Sequence, residues 1–174
     1  DWGAGALLNE HEAGIEQAAP SNEGLVETVH RAVPLDWTDY NGHMNEARYL
    51  QAFGDATDRF MEIIGCDAAY IAAGGSYFTA ETHIRHLDEV HAGHVIRVVT
   101  RVMEGAGKKM HLWHEMYHED RLCATGEHML IHVDLSTRRA SAPGAAVAQL
   151  LGGFAQSHAD QPLSEGAGKG VGKR

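Results

Sequence analysis

Nine residues between Trp37 and Asn45, reading Trp-Thr-Asp-Tyr-Asn-Gly-His-Met-Asn, bring together one carboxylate, two amides, an imidazole and a glycine. Asp39 could attack an electrophilic carbon or remove a proton. The imidazole of His43 titrates near neutrality when unperturbed, which suits it to moving protons. Gly42 lets the backbone come close to a bound group. The same residue types also build turns, so Asp39 and Asn41 could form an Asx turn while His43 and Asn45 cap the next element.

Residues 46–64 are helical in pattern. Tyr49, Leu50, Phe53, Ala56, Phe60, Met61 and Ile64 recur at spacings of three and four, the mark of one apolar helix face. The spacing predicts a helix over 46–64, with Asn45 as N-cap and Gly65 as the stop. The polar cluster would then end at a helix mouth, where unpaired backbone N–H groups favour anionic oxygen. Asn45, Glu46 and Gly42 are the expected oxyanion-side residues.

Around this helix the period falls to two. Residues 25–34 can form a first strand, and 76–87, 93–104, 108–118 and 121–135 form a series with short turns between them. Along 108–118, Met110, Leu112, His114 and Met116 share one face, while His111, Trp113, Glu115 and Tyr117 share the other. Pro143 precedes a short helix at about 145–154. A curved sheet wrapped around the long helix would bury its apolar face. Residues 1–24 read as a linker or tail with a short helix at 6–17, 25–155 as the domain, and 156–174, rich in glycine, as a flexible C-terminal tail.

Composition narrows the function. The 174 residues suffice for one domain with a proper core. No apolar run approaches the roughly 20 residues needed to cross a bilayer, so no membrane partner is expected. A net charge of −10 argues against nucleic-acid binding, which depends on clustered Lys and Arg. Arg97 with Arg101, Lys108 with Lys109 and Arg138 with Arg139 could meet the phosphates of a small anion or simply solubilise the surface. Two cysteines, Cys66 and Cys123, with no metal or redox spacing, fit a reducing cytoplasm. The 13 histidines include three pairs at a spacing of three, which a strand splits between its faces. His128 and His132, four apart, would stand about 13 Å from one another on a strand. No metal site and no cofactor is expected.

The order of elements resembles the hotdog fold of acyl-CoA thioesterases, an α+β fold in which a curved antiparallel sheet of about five strands wraps one long central helix. Asp39-Tyr40-Asn41-Gly42-His43-Met44-Asn45, with Tyr49 four residues on, is similar to the D-x-N-G-H-x-N pattern of the 4-hydroxybenzoyl-CoA thioesterase-like families. The wording from Leu35 to Tyr49 is similar to betainyl-CoA thioesterases of carnitine breakdown, which in some bacteria are fused behind carnitine dehydrogenase. The resemblance implies that Asp39 attacks the thioester or activates water, with His43 and Asn41 assisting. It also implies an acyl-CoA substrate, with coenzyme A part of that substrate, and a homodimer or homotetramer carrying sites at subunit interfaces.

A trimethylammonium acyl group would call for aromatic faces, and Trp37, Tyr40 and Trp113 are the candidates, although core packing explains such residues equally well. Two rival readings stand beside hydrolysis. A hotdog enoyl-thioester hydratase resembles D-x-N-P-x-H, from which this chain departs by glycine for proline and an Asp-to-His interval of four. A non-catalytic acyl-thioester-binding or dimerisation module would use the polar loop only as a turn. Glu81, sharing a strand face with His83 and Arg85, reads as a solvated acid.

Overall fold

The computed structural model describes residues 24–172, so the helix expected at 6–17 lies outside the described residues, as does nearly all of the linker expected at 1–24. The elements in chain order are β1 (Val26–Ala32), a 3-10 turn (Leu35–Trp37), α1 (Glu46–Ile63), α2 (Ala68–Ala72), β2 (Gly75–His86), β3 (Val95–Glu104), β4 (Lys109–His118), β5 (Arg121–Asp134), β6 (Arg139–Ala140) and α3 (Ala145–His158). The sheet runs β1-β3-β4-β5-β2 with every pair antiparallel, and the two-residue β6 adds to β5. No helix among the described residues is long and apolar enough to cross a membrane.

Helix α1 begins where the sequence says it should. The Asn45 side chain accepts the Ala47 N–H at 3.0 Å, satisfying one of the amides left over in the first turn. At the other end Gly65 takes φ +88°, and the Cys66 N–H returns to the Met61 carbonyl at 2.8 Å, closing the helix as a glycine C-cap does. Tyr49, Ala52, Phe53, Ala56, Thr57, Phe60 and Met61 face inward. Leu50, expected on that face, is 49% exposed, because the stripe is centred one residue-angle away from it.

The helix lies in the concave side of the sheet. Phe53 and its neighbours pack on Val33, Trp37, Val90, Ile96, Val98 and Met116, and further along Phe60 and Ile64 pack on Val102, Met110, Leu112, Leu130 and Leu151. Burying one such side chain contributes about 1.5–3 kcal/mol. The alternation expected for β3 and β4 holds: Thr100 and His114 point at the helix, while Arg101, Trp113 and Glu115 point away. Register shifts in β1, β2, β3 and β4 add the local twist that curls a sheet around a helix. One close approach sets the spacing: a Cβ on Gly126 would fall 2.7 Å from the Phe53 ring, so β5 needs a residue without a side chain there.

The C-terminal segment departs from the flexible tail expected at 156–174. Residues 156–158 complete α3, and the chain beyond them lies across the outer face of the sheet. Ser164 Oγ donates to Glu115 at 2.8 Å, and Arg101 donates to the Pro162 carbonyl at 2.9 Å. The buried Glu127 carboxylate accepts the backbone N–H groups of Gly168, of Gly170 at 2.9 Å and of Val171 at 3.1 Å. Glycine supplies a path that brings three amides onto one carboxylate, which a composition-based expectation of disorder does not foresee.

Candidate active site

Residues 38–44 form a closed loop in front of α1. Thr38 bridges Met44, the Asp39 N–H donates to the His43 carbonyl at 2.9 Å, and the Gly42 N–H donates to the Asp39 carbonyl at 3.0 Å. Gly42 has φ +79°, a conformation that would strain most L-residues. The loop is tied to the body through Asn45 N–H to the Trp37 carbonyl, 2.8 Å, and Met44 N–H to the Val90 carbonyl, 2.7 Å.

Within it the two carboxylate oxygens of Asp39 differ. Its Oδ1 accepts the backbone N–H groups of Asn41 at 2.8 Å and His43 at 3.2 Å, so the Asx-turn reading describes one carboxylate oxygen. Oδ2 has no donor among the described residues and is available to a reacting group. The turn therefore engages one carboxylate oxygen and leaves the other uncommitted.

Behind the loop lies a cavity of about 510 Å³ lined by His43, Met44, Glu46, Tyr49, His86, Leu87, Asp88 and Glu89. Tyr49 comes from the buried face of α1, and its hydroxyl reaches the Asp88 carbonyl at 3.4 Å. Burial pushes its phenol up to about 12, so it remains a neutral donor. The Glu89 backbone N–H and the Arg121 guanidinium hold the Asp88 carboxyl below the usual range. His43 Nε2 stands 3.3 Å from Glu89 Oε2.

The expected oxyanion donors are not equivalent. The Asn45 and Gly42 N–H groups are spent on the Trp37 and Asp39 carbonyls, and Ala47 is capped by the Asn45 side chain. Glu46 N–H is thus the first amide of the helix without an acceptor among the described residues, and Glu46 itself lines the cavity.

The expected acyl-binding aromatics do not come together. Tyr40 is 98% exposed at the loop tip and Trp37 is buried, with the Arg31 guanidinium 4.1 Å from its ring centroid and Arg48 at 5.6 Å. Trp113 is buried on the outer face of the sheet, because strand alternation turns it away from α1. Arg101 is likewise covered by the C-terminal segment, so it does not reach a phosphate. Glu81 is on that outer face too, accepting the Gly172 N–H at 3.1 Å. Asn41 is exposed on the loop, outside the cavity wall.

Sequence reasoning missed His86, Asp88 and Glu89. His86 ends β2 and Asp88 and Glu89 follow it in the β2–β3 connection, some forty residues after the motif, and only the sheet brings them to it. Val90, fully buried between the exposed Glu89 and the half-exposed His91, is the one local sign that this stretch is anchored.

A family model described as the Thioesterase-like superfamily matches residues 33–151. Over 99% of its length the chain is 55% identical to an L-carnitine dehydrogenase/betainyl-CoA thioesterase of Ruegeria pomeroyi, of which it spans 37%. It is 34% identical to a betainyl-CoA thioesterase of Pseudomonas aeruginosa, covering 85% of this chain and 95% of that one. Among solved structures, a Staphylococcus aureus protein in complex with CoA superposes with a TM-score of 0.78 at 24% identity, over 85% of this chain and 96% of that one. A putative thioesterase from Pseudomonas putida KT2440 gives 0.73 at 30% identity with the same coverage. With the central helix, the curled five-stranded sheet and the Asp39 loop in place, the chain has the hotdog fold and belongs to the thioesterase-like superfamily.

Proposed function

We propose that this chain is an acyl-CoA thioesterase that hydrolyses betainyl-CoA to betaine and free CoA. The observation that carries the reading is the Asp39 carboxylate, one oxygen fixed by two backbone amides and the other without a donor among the described residues. The 55% and 34% identical relatives, both named for betainyl-CoA thioesterase activity, support the acyl group.

In this reading Asp39 Oδ2 either takes a proton from a water that attacks the thioester carbonyl, or attacks the carbonyl itself to give a mixed anhydride that a water then hydrolyses, releasing the acid and restoring the carboxylate. The carbonyl oxygen becomes negative as the tetrahedral intermediate forms, and the Glu46 N–H with the positive end of α1 stabilises it. Collapse expels the CoA thiolate, to which His43 delivers a proton, and Asn41 lies within the same loop as a polar assistant. No cofactor beyond the substrate's own CoA is required.

The protein works as a homodimer or homotetramer. β2 is an edge strand on which Phe78 is 54% exposed, supporting side-by-side sheet pairing in which an adjacent subunit supplies basic residues to the CoA phosphates. A cytoplasmic location and a fused dehydrogenase domain complete the proposal, the latter supported by the Ruegeria pomeroyi relative.

Incubation with a panel of acyl-CoAs, betainyl-CoA included, while following free thiol tests it. Thiol release fastest with betainyl-CoA is expected. Absence of thiol from every thioester would reject hydrolysis, and loss of enoyl absorbance without thiol would favour the hydratase.

A further inference from the structure

We propose that His43, Glu89 and His91 form a binding site for a divalent transition-metal ion such as Zn²⁺. Glu89 Oε2 stands 3.3 Å from His43 Nε2 and 3.7 Å from His91 Nε2. One ligand atom from each of the three residues can be chosen so that all lie within 4.8 Å of one another. Four ligands arranged tetrahedrally about 2.0–2.1 Å from Zn²⁺ are separated by about 3.3 Å, so two of the three edges are close to closed.

The backbone holds this arrangement. His43 and His91 face one another across an antiparallel bridge, and the Met44 N–H to Val90 carbonyl bond, 2.7 Å, fastens the next residues. Val90 is fully buried, so in this extended stretch Glu89 and His91 both turn to the opposite side, where His43 meets them. Scanning for histidine pairs on one strand does not find the site, because its two imidazoles come from segments 48 positions apart in sequence. His91 is braced from behind, its N–H donating to His94 Nδ1 at 3.1 Å.

Two imidazoles and one carboxylate suit zinc and its neighbours rather than Mg²⁺ or Ca²⁺, which take oxygen ligands. Three protein ligands leave a fourth position for water, as in open zinc sites. Because His43 and Glu89 also line the cavity, the ion sits at its wall. Occupancy takes His43 Nε2 out of proton transfer, so the ion inhibits hydrolysis; this second part rests on the thioesterase reading.

The test is titration of the metal-free full chain with Co²⁺, following the visible bands of a low-coordinate cobalt site, then displacement by Zn²⁺. One site per chain is expected, weakened at least tenfold by His91→Ala and unchanged by His30→Ala, a histidine outside the cluster. Equal binding by parent and His91→Ala overturns the site. In the thiol assay, Zn²⁺ should inhibit the parent, EDTA should restore it, and His91→Ala should resist. Inhibition persisting in His91→Ala would overturn the inhibitory role, whereas a metal-free parent releasing no thiol would count against the thioesterase reading and leave the cobalt result standing.

Discussion

His114 Nδ1 donates to Thr100 Oγ1 at 2.8 Å, in the middle of a chain of buried hydroxyls that runs across the sheet. Thr28 Oγ1 donates to the Val98 carbonyl at 3.3 Å and is 2.9 Å from Thr100 Oγ1, while Thr57 Oγ1 on α1 is 2.9 Å from His114 Nε2. Since the chain ends on a carbonyl, each hydroxyl passes its proton that way, and His114 must hold its hydrogen on Nδ1 and accept from Thr57 on Nε2. This satisfied network ties the helix to β1, β3 and β4 by polar contacts inside an apolar core.

Acid should loosen that core. Burial first, and His128 second, push His114 well below the ordinary histidine range, and burial pushes His128 down to about 4. Both are therefore neutral when folded and protonated more readily when unfolded. Stability is full above about pH 6.5 and falls as pH drops toward 4, His128 alone accounting for about 3 kcal/mol. Urea midpoints measured between pH 7.5 and 4.5 should show the decline beginning near pH 6.5, and a flat profile would contradict it.

Changing Asp39 to Asn keeps the amide oxygen that accepts the Asn41 and His43 N–H groups, so the loop should persist. The second carboxylate oxygen is lost, and thiol release should fall by about a hundredfold or more, with the far-UV spectrum and melting temperature close to the parent. Near-normal turnover would move the chemistry away from Asp39.

Gly126→Ala places a methyl group against the Phe53 ring. Overpacking of this kind costs about 1–3 kcal/mol, readable as a lowered denaturant midpoint. Combining it with Phe53→Leu should recover part of the loss, because the two changes share one contact.

Glu127→Gln turns an acceptor-only group into one that presents N–H toward the donors of Gly168, Gly170 and Val171. Hydrogen bonds to a charged partner are worth about 1.5–3 kcal/mol each, so the C-terminal segment should detach. Trypsin cleavage at the exposed Lys169 should accelerate more than tenfold while the rest of the domain resists, and unchanged cleavage would show that other contacts hold the segment.

The fold was legible because its signals are local. Period-two alternation, the Asn45 cap and Gly65 at the helix end all operate within a few residues, and the limits of the expected elements agree with the structure to within one or two positions except at α3, while the short α2 and β6 were not expected. The turn at Asp39 was legible for the same reason. Glu89 and His91 were not, since only the pairing of the β2–β3 connection with the loop brings them to His43. Trp113 misled because composition reports an aromatic residue but not which sheet face carries it relative to the site. The docking of 159–172 was hidden for a related reason: a Gly-rich stretch looks unstructured until a buried carboxylate elsewhere in the chain gives its amides a common target.

That last contact bears on where this domain can be cut. Glu127 is fully buried and draws three of its donors from residues 168–171. Trimming the chain after α3, the boundary that low complexity suggests, would strand an anion on β5, next to His128, whose ring packs on Phe53 of α1. The glycine-rich end is the counter-face of that strand, and a chain that keeps all three donors on Glu127 runs through Val171.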